Sequence, residues 1–127
     1  MISIRAEQVA ALAAAARMRF IESMLPHVAR YHARQFTTLG EDGVRETVGA
    51  AVECAERHGI TIERDVARFI DIWFALGPGF DVSPSFPWAA ATLAERRLTP
   101  TARVDRLFEH TLHYLDLRDA ARAARGV

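Results

Sequence analysis

The chain has 127 residues, a length that fits one domain able to bury a sizeable core without a metal or a disulfide. Its sixteen basic and sixteen acidic residues cancel and no basic run occurs, so the composition provides no electrostatic footprint for nucleic acid or for an anionic membrane. Cys54 is the only cysteine, which excludes an intrachain disulfide and favours a reducing, cytoplasmic location.

The N-terminal segment predicts a long amphipathic helix. We expect residues 2–4 to form a short extended lead-in and the helix to begin at Ser3 or just beyond it. Pro26 should kink or restart this helix, because proline lacks an N–H and clashes with the preceding turn. The apolar positions that recur at helical spacing, and that we expect to face inward, are Val9, Leu12, Ala13, Ala16, Phe20 and Met24.

This alanine-rich start does not indicate a signal peptide, since Glu7 precedes it and no basic leader is present. No stretch of the chain reaches the length of a transmembrane helix, so we expect no membrane association.

A second amphipathic segment follows Pro26 and should end at Leu39 and Gly40.

The next helix should be capped by Asp42 and should approach its neighbours closely through small residues. Cys54 lies among these residues, and we expect a buried, unreactive thiol. The positions predicted to face inward are Val44, Val48, Ala51, Val52 and Ala55.

The most apolar helix should follow, at about residues 62–76. Gly59 should end the preceding helix, and Thr61 should start this one by capping a free N–H. Pro78 and Gly79 suit the central positions of a type II turn that stops the helix. The stripe predicted to form the core is Val66, Phe69, Ile70, Trp73 and Phe74.

Two helices should complete the chain. A short one should begin at Pro87 and end near Arg97, and Thr99 followed by Pro100 signals the start of the last. The tail from Arg118 onward should fray. The apolar positions of the last helix are Val104, Leu107, Phe108, Thr111, Leu112 and Leu115. No run alternates as a strand would, so we predict an all-α single domain over residues 1–127, with five or six helices around the central one.

Chemistry-bearing residues are sparse. His110 and His113 lie one turn apart and could supply two metal ligands, but no HExxH or CxxC pattern provides the others. The central helix also carries charges that are typical of a solvated surface network: Glu63, Arg64, Asp65, Arg68 and Asp71. We therefore expect no metal, no cofactor and no enzymatic activity.

The segment 77–88 is the best candidate for a contact surface. Phe80, Phe86 and Trp88 are large apolar residues in a stretch rich in Gly, Pro and Ser, and exposed aromatics in such loops are typical interface anchors. We predict that these three residues bind another protein. The alternative is that they fold back as a lid on the core.

Several segments resemble a family of small, uncharacterised helical proteins encoded beside spike and effector genes of bacterial type VI secretion systems. The resemblance rests on ISIRAEQVAAL, LGEDGVRE, GITIERDVARFIDIWFALGPGFD and FPWAAATL, and covers most of the chain. It departs from that family at PSFP, where an acidic stretch with proline is more usual. The resemblance implies a cytoplasmic adaptor or chaperone that helps load an effector.

Two other functions remain open. An immunity protein that blocks a toxin would also need a protein partner. A small hydrolase or metal-dependent enzyme would use His110 and His113 with nearby carboxylates, and stoichiometric zinc or iron in the purified protein would favour it.

Overall fold

The computed structural model describes residues 4–126, and throughout that range the regular elements are helical. They are α1 (Ile4–Tyr31), α2 (Ala33–Arg57), α3 (Glu63–Leu76), a 3₁₀ turn (Phe80–Val82), α4 (Pro87–Leu93) and α5 (Pro100–Arg125). The all-α prediction with a central apolar helix is confirmed. Ile4 is already helical, while the predicted start at Ser3 and the rest of the lead-in lie outside the described residues.

The helices group into two compact units, one ending at Ala50 and the other beginning at Ala51, within α2. A single domain over residues 1–127 stays a prediction. None of the helices described between residues 4 and 126 combines the length and the apolarity needed to cross a membrane.

In the first unit, α1 is 28 residues long, which corresponds to about 42 Å at 1.5 Å per residue. The inward stripe predicted for it is wrong over the first turns, because Val9 and Leu12 are 63% and 69% exposed. Among the described side chains of α1, Phe20 and Ile21 are partly buried and the first fully buried ones are Met24 and Leu25, near the end of the helix. The helix also passes through Pro26 instead of restarting there, and ends five residues later at Tyr31.

Gly40 breaks α2 as predicted, with a non-helical backbone at φ 74° and ψ 170°. Since Gly40 is the residue outside helical geometry, Asp42 lies inside the helix and does not cap it. Its carboxylate instead accepts a hydrogen bond from Arg45 at 2.6 Å. Arg45 also binds Glu22 of α1 and Glu41, so one guanidinium gathers three carboxylates and joins α1 to α2.

In the second unit, the core forms around α3. The five residues of its predicted stripe are all buried, as are the α2 positions Ala51, Val52 and Ala55. Gly59 ends α2 at φ 76°, where the N–H of Gly59 donates to Glu56 O and that of Ile60 to Ala55 O. The predicted start at Thr61 is wrong: the N-cap is Ile62, and it offers no side-chain hydrogen bond.

The turn after α3 agrees with the sequence prediction. Gly79 has φ 76° and ψ 13°, and the N–H of Phe80 donates to Gly77 O at 3.3 Å. These values correspond to a type II turn with Pro78 and Gly79 at its centre. The turn leads directly into the 3₁₀ turn.

The last two helices differ from the prediction at their ends. α4 stops at Leu93, four residues before Arg97, whereas α5 remains helical to Arg125 where a frayed tail was expected. Thr99 caps α5 as predicted, accepting from the N–H of Ala102 at 3.1 Å. α5 packs against both α3 and α4, and its buried residues are Val104, Leu107 and Thr111.

Candidate functional site

The structure separates the three residues predicted to bind a partner. Phe80 is buried, with its ring 5.2 Å from the Phe69 ring and 6.2 Å from the Trp73 ring. Its role is the one expected of a core lid. A partner could reach this ring only by opening the core, so we remove Phe80 from the candidate surface.

Phe86 and Trp88 are only partly buried and meet Tyr114 of α5. The Phe86 ring lies edge-on to both others, at 5.8 Å from Trp88 and 5.3 Å from Tyr114, and the Trp88 and Tyr114 rings are 6.1 Å apart. Such edge-to-face pairs are stabilising beyond the area that they bury. We call this set of three rings the aromatic face.

Local hydrogen bonds explain why the aromatic face is ordered. Before α4, the N–H of Ser85 donates to Ser83 Oγ, and the N–H of Phe86 donates to Ser83 O. Pro87 then occupies the first helical position, where its missing N–H has no cost. Packing of α4 on α5 brings the rings of Phe86 and Trp88 to Tyr114.

Two residues of α5 extend the aromatic face. The His110 ring lies 5.7 Å from the Trp88 ring, and His110 is exposed. Leu117 follows Tyr114 by three residues and is 58% exposed, so helical spacing places the two on neighbouring turns. The result is an apolar, aromatic surface with one imidazole at its edge.

The structure also places the two histidines that the sequence offers as metal ligands. His110 and His113 are both exposed on α5. Among the described residues, neither belongs to a group of three side chains close enough to hold one metal ion. Of the two, His110 has its ring next to that of Trp88.

The mixed-charge surface predicted on α3 is partly wrong. Asp65 is 1% exposed and accepts a hydrogen bond from the Thr101 hydroxyl at 2.6 Å. Arg68 pairs with Asp105 and stacks over the Phe108 ring, 5.3 Å from its centroid. These charges therefore attach α3 to α5.

A second cluster brings together Cys54, His58 and Asp81. The Cys54 thiol donates to Asp81 Oδ2 at 3.3 Å, and His58 Nε2 lies 2.9 Å from the same oxygen. Burial raises the pKa of the Cys54 thiol to about 11, and the hydrogen bond to Asp81 adds to this shift. Burial favours the neutral form of Asp81, but hydrogen bonds from His58 and Cys54 outweigh it and lower the pKa of that carboxyl.

Sequence reasoning missed this cluster, although part of the signal was visible. Cys54 lies in the last turn of α2 and His58 follows that helix by one residue; the N–H of His58 still donates to Cys54 O, so the four-residue spacing keeps both on one face. Asp81 lies 27 residues beyond Cys54, and no local pattern connects them. Only the path of the chain through the turn at Pro78 brings the carboxylate there.

Comparisons with protein-family models, with curated proteins and with solved structures find no significant match for this chain. The resemblance to proteins encoded beside type VI secretion genes therefore stays a prediction from the sequence.

Proposed function

We propose that this protein is a non-enzymatic interaction module that binds another protein through the aromatic face of Phe86, Trp88 and Tyr114. The observation that carries the proposal is the partial exposure of three large rings that pack on one another across α4 and α5. Buried aromatic anchors supply much of the affinity in protein interfaces.

The packing of the rings favours binding as well as stability. Each ring has its orientation restrained by two others before a partner arrives, so little side-chain entropy remains to be lost on association. Aromatic side chains also present a large area with few rotatable bonds. A rigid apolar surface of this kind fits an apolar segment of a partner that would otherwise be exposed to water.

The proteins that the sequence resembles are encoded beside spike and effector genes, so the first partner to test is the product of an adjacent effector gene. An adaptor or chaperone would shield an apolar segment of the effector until it is loaded. We therefore propose an adaptor role in the cytoplasm, with the effector segment seated on the aromatic face.

The test is a binding titration of the adjacent effector against the wild type and against the double variant Phe86→Ala/Trp88→Ala. We expect the variant to lose at least about 2 kcal/mol, or roughly 30-fold in affinity, as for central aromatic hot spots. Val82→Ala is a matched control, since Val82 is an apolar residue of the same segment, outside the face and 76% exposed. Thermal melts of the same samples separate loss of binding from loss of fold.

A double variant that binds the effector with wild-type affinity would exclude the aromatic face. The exposed apolar residues of α1, Val9 and Leu12, would then be the next surface to vary.

A growth assay distinguishes an immunity protein from an adaptor. An immunity protein would rescue cells that express the toxin, whereas an adaptor would support secretion of the effector.

A further inference from the structure

We infer that Cys54, His58 and Asp81 form a binding site for a divalent metal ion of the zinc class. One ligand atom from each residue lies within 4.8 Å of the other two. Thiolate, imidazole and carboxylate are the three donor groups that zinc uses in proteins. This site is separate from the aromatic face and does not depend on its function.

Two of the three spacings between donor atoms are near those of a tetrahedral centre. Zinc bonds of about 2.0–2.3 Å separate neighbouring ligand atoms by about 3.3–3.5 Å. The distance from Cys54 Sγ to Asp81 Oδ2 is 3.3 Å, and that from His58 Nε2 to the same oxygen is 2.9 Å. The third spacing, between Cys54 Sγ and His58 Nε2, is at most 4.8 Å, so the two side chains must close on the ion as it binds.

The backbone holds these donors before a metal arrives. Cys54 and His58 lie one turn apart at the end of α2, where the N–H of His58 donates to Cys54 O. Asp81 is fixed by the 3₁₀ turn, since its neighbour Phe80 is anchored in the core. A preformed site loses little conformational entropy when the ion binds.

Two negative ligands and an open cavity favour binding of a cation, whereas the arginines of that cavity oppose it. A thiolate from Cys54 and the carboxylate of Asp81 neutralise a divalent cation, and His58 completes the set without added charge. His58 also lines an open cavity of about 400 Å³, which provides a path for the ion. The same cavity is lined by Arg57, Arg96 and Arg103, whose positive charges oppose entry of a cation and favour an anion as the fourth ligand.

Metal binding displaces protons from the ligand side chains. The Cys54 S–H bond breaks, its proton passes to solvent, and the sulfur lone pair forms the bond to the ion. The Nε2–H bond of His58, which donates to Asp81 without the metal, also breaks and its proton passes to solvent. The ring binds through the freed Nε2 lone pair and carries one proton on Nδ1, taken from solvent where it is not already there, so it stays neutral. Asp81 exchanges two hydrogen bonds for one metal–oxygen bond.

The experiment is a titration of the purified, chelator-treated protein with zinc, followed by cobalt(II) as a spectroscopic probe. We expect one zinc per chain and, with cobalt, a thiolate-to-metal charge-transfer band. Cys54→Ser, His58→Gln and Asp81→Asn should each weaken zinc binding by more than about 100-fold, beyond the loss that outer-shell changes cause. His113→Gln and Asp116→Asn change the same residue types on the exposed side of α5 and should retain binding.

A melt with and without zinc adds a readout on the wild type alone. An ion that binds the folded state raises the melting temperature by mass action, so zinc should shift the wild type and both controls. Absence of zinc binding by the wild type would overturn the inference. So would a charge-transfer band that survives in Cys54→Ser, or loss of binding in His113→Gln equal to that in His58→Gln.

Discussion

The ring of Phe80 packs 5.2 Å from the ring of Phe69, so a residue from the loop after α3 completes the core that α3 builds. Both side chains are fully buried. The type II turn at Pro78 and Gly79 makes this contact possible, because it reverses the chain within four residues of the end of the helix.

Truncating either ring should therefore damage the fold. We expect Phe80→Ala and Phe69→Ala each to lower the free energy of unfolding by about 3–5 kcal/mol, since both lose transfer energy and leave a cavity. Val82→Ala, two residues beyond Phe80 but exposed, should stay within about 0.5 kcal/mol of the wild type. Chemical denaturation measures all three, and wild-type stability in Phe80→Ala would contradict the burial of its ring.

The parts of the fold that the sequence predicts are those set by neighbouring residues. The stripe from Val66 to Phe74 follows from helical spacing, and all of it is buried. Gly59 and Gly79 adopt the positive φ that their turns require, and Thr99 caps the helix that it precedes. In each case the signal and the structure lie within a few residues of one another.

The sequence predictions fail where burial or a contact depends on residues that are far away along the chain. Periodicity shows that Val9 and Leu12 share a face of α1, but not whether another element covers that face. Phe80 and Phe86 stand in the same kind of loop, yet only Phe80 is fully buried. The partnership of Asp81 with Cys54 has the same origin, because the distance along the chain hides it.

The two threonines that the sequence offers as caps should behave differently. Thr99 accepts a hydrogen bond from the N–H of Ala102, whereas α3 begins after Ile62 without a side-chain cap. We expect Thr99→Ala to lower the free energy of unfolding by about 1 kcal/mol. Thr99→Ser keeps a hydroxyl and should retain most of the stabilisation that the cap provides. Thr61→Ala should stay within about 0.5 kcal/mol of the wild type, and an equal loss at both threonines would contradict the capping geometry.

The contact between Glu22 and Arg45 predicts a change in acid titration. The hydrogen bond from Arg45 lowers the pKa of the Glu22 carboxyl; loss of hydration opposes this shift, and the charge of Arg45 adds to it. Because the folded-state pKa is lowered, the contribution of this pair to stability is present above the ordinary pKa of 4.5. It is lost as pH falls through the lowered value.

Carboxyl NMR titration of Glu22 measures this directly. Arg45→Met should raise the pKa of Glu22 towards 4.5, while Arg34→Met, at an exposed arginine of the same unit, should leave it unchanged. Equal titration of Glu22 in the wild type and in Arg45→Met would show that the pair does not form in solution.

The buried carboxylate of Asp65 should depend on Thr101. Oδ2 accepts the Thr101 hydroxyl at 2.6 Å, while Oδ1 has no hydrogen-bond donor among the described residues and only Arg64 nearby, at 3.7 Å. Removing the hydroxyl would leave the buried Asp65 side chain without the donor that Thr101 provides. We expect Thr101→Val to lower the free energy of unfolding by about 1–3 kcal/mol, the usual cost of such a loss.

Two controls isolate the hydroxyl as the cause. Thr101→Ser keeps the donor and should retain most of the stability, whereas Thr61→Val removes a hydroxyl from an exposed site and should have little effect. Denaturation of the three variants at one pH gives the comparison. Thr101→Val keeps the methyl group and loses only the hydroxyl, so wild-type stability in Thr101→Val would show that the hydrogen bond that joins α3 to α5 is dispensable.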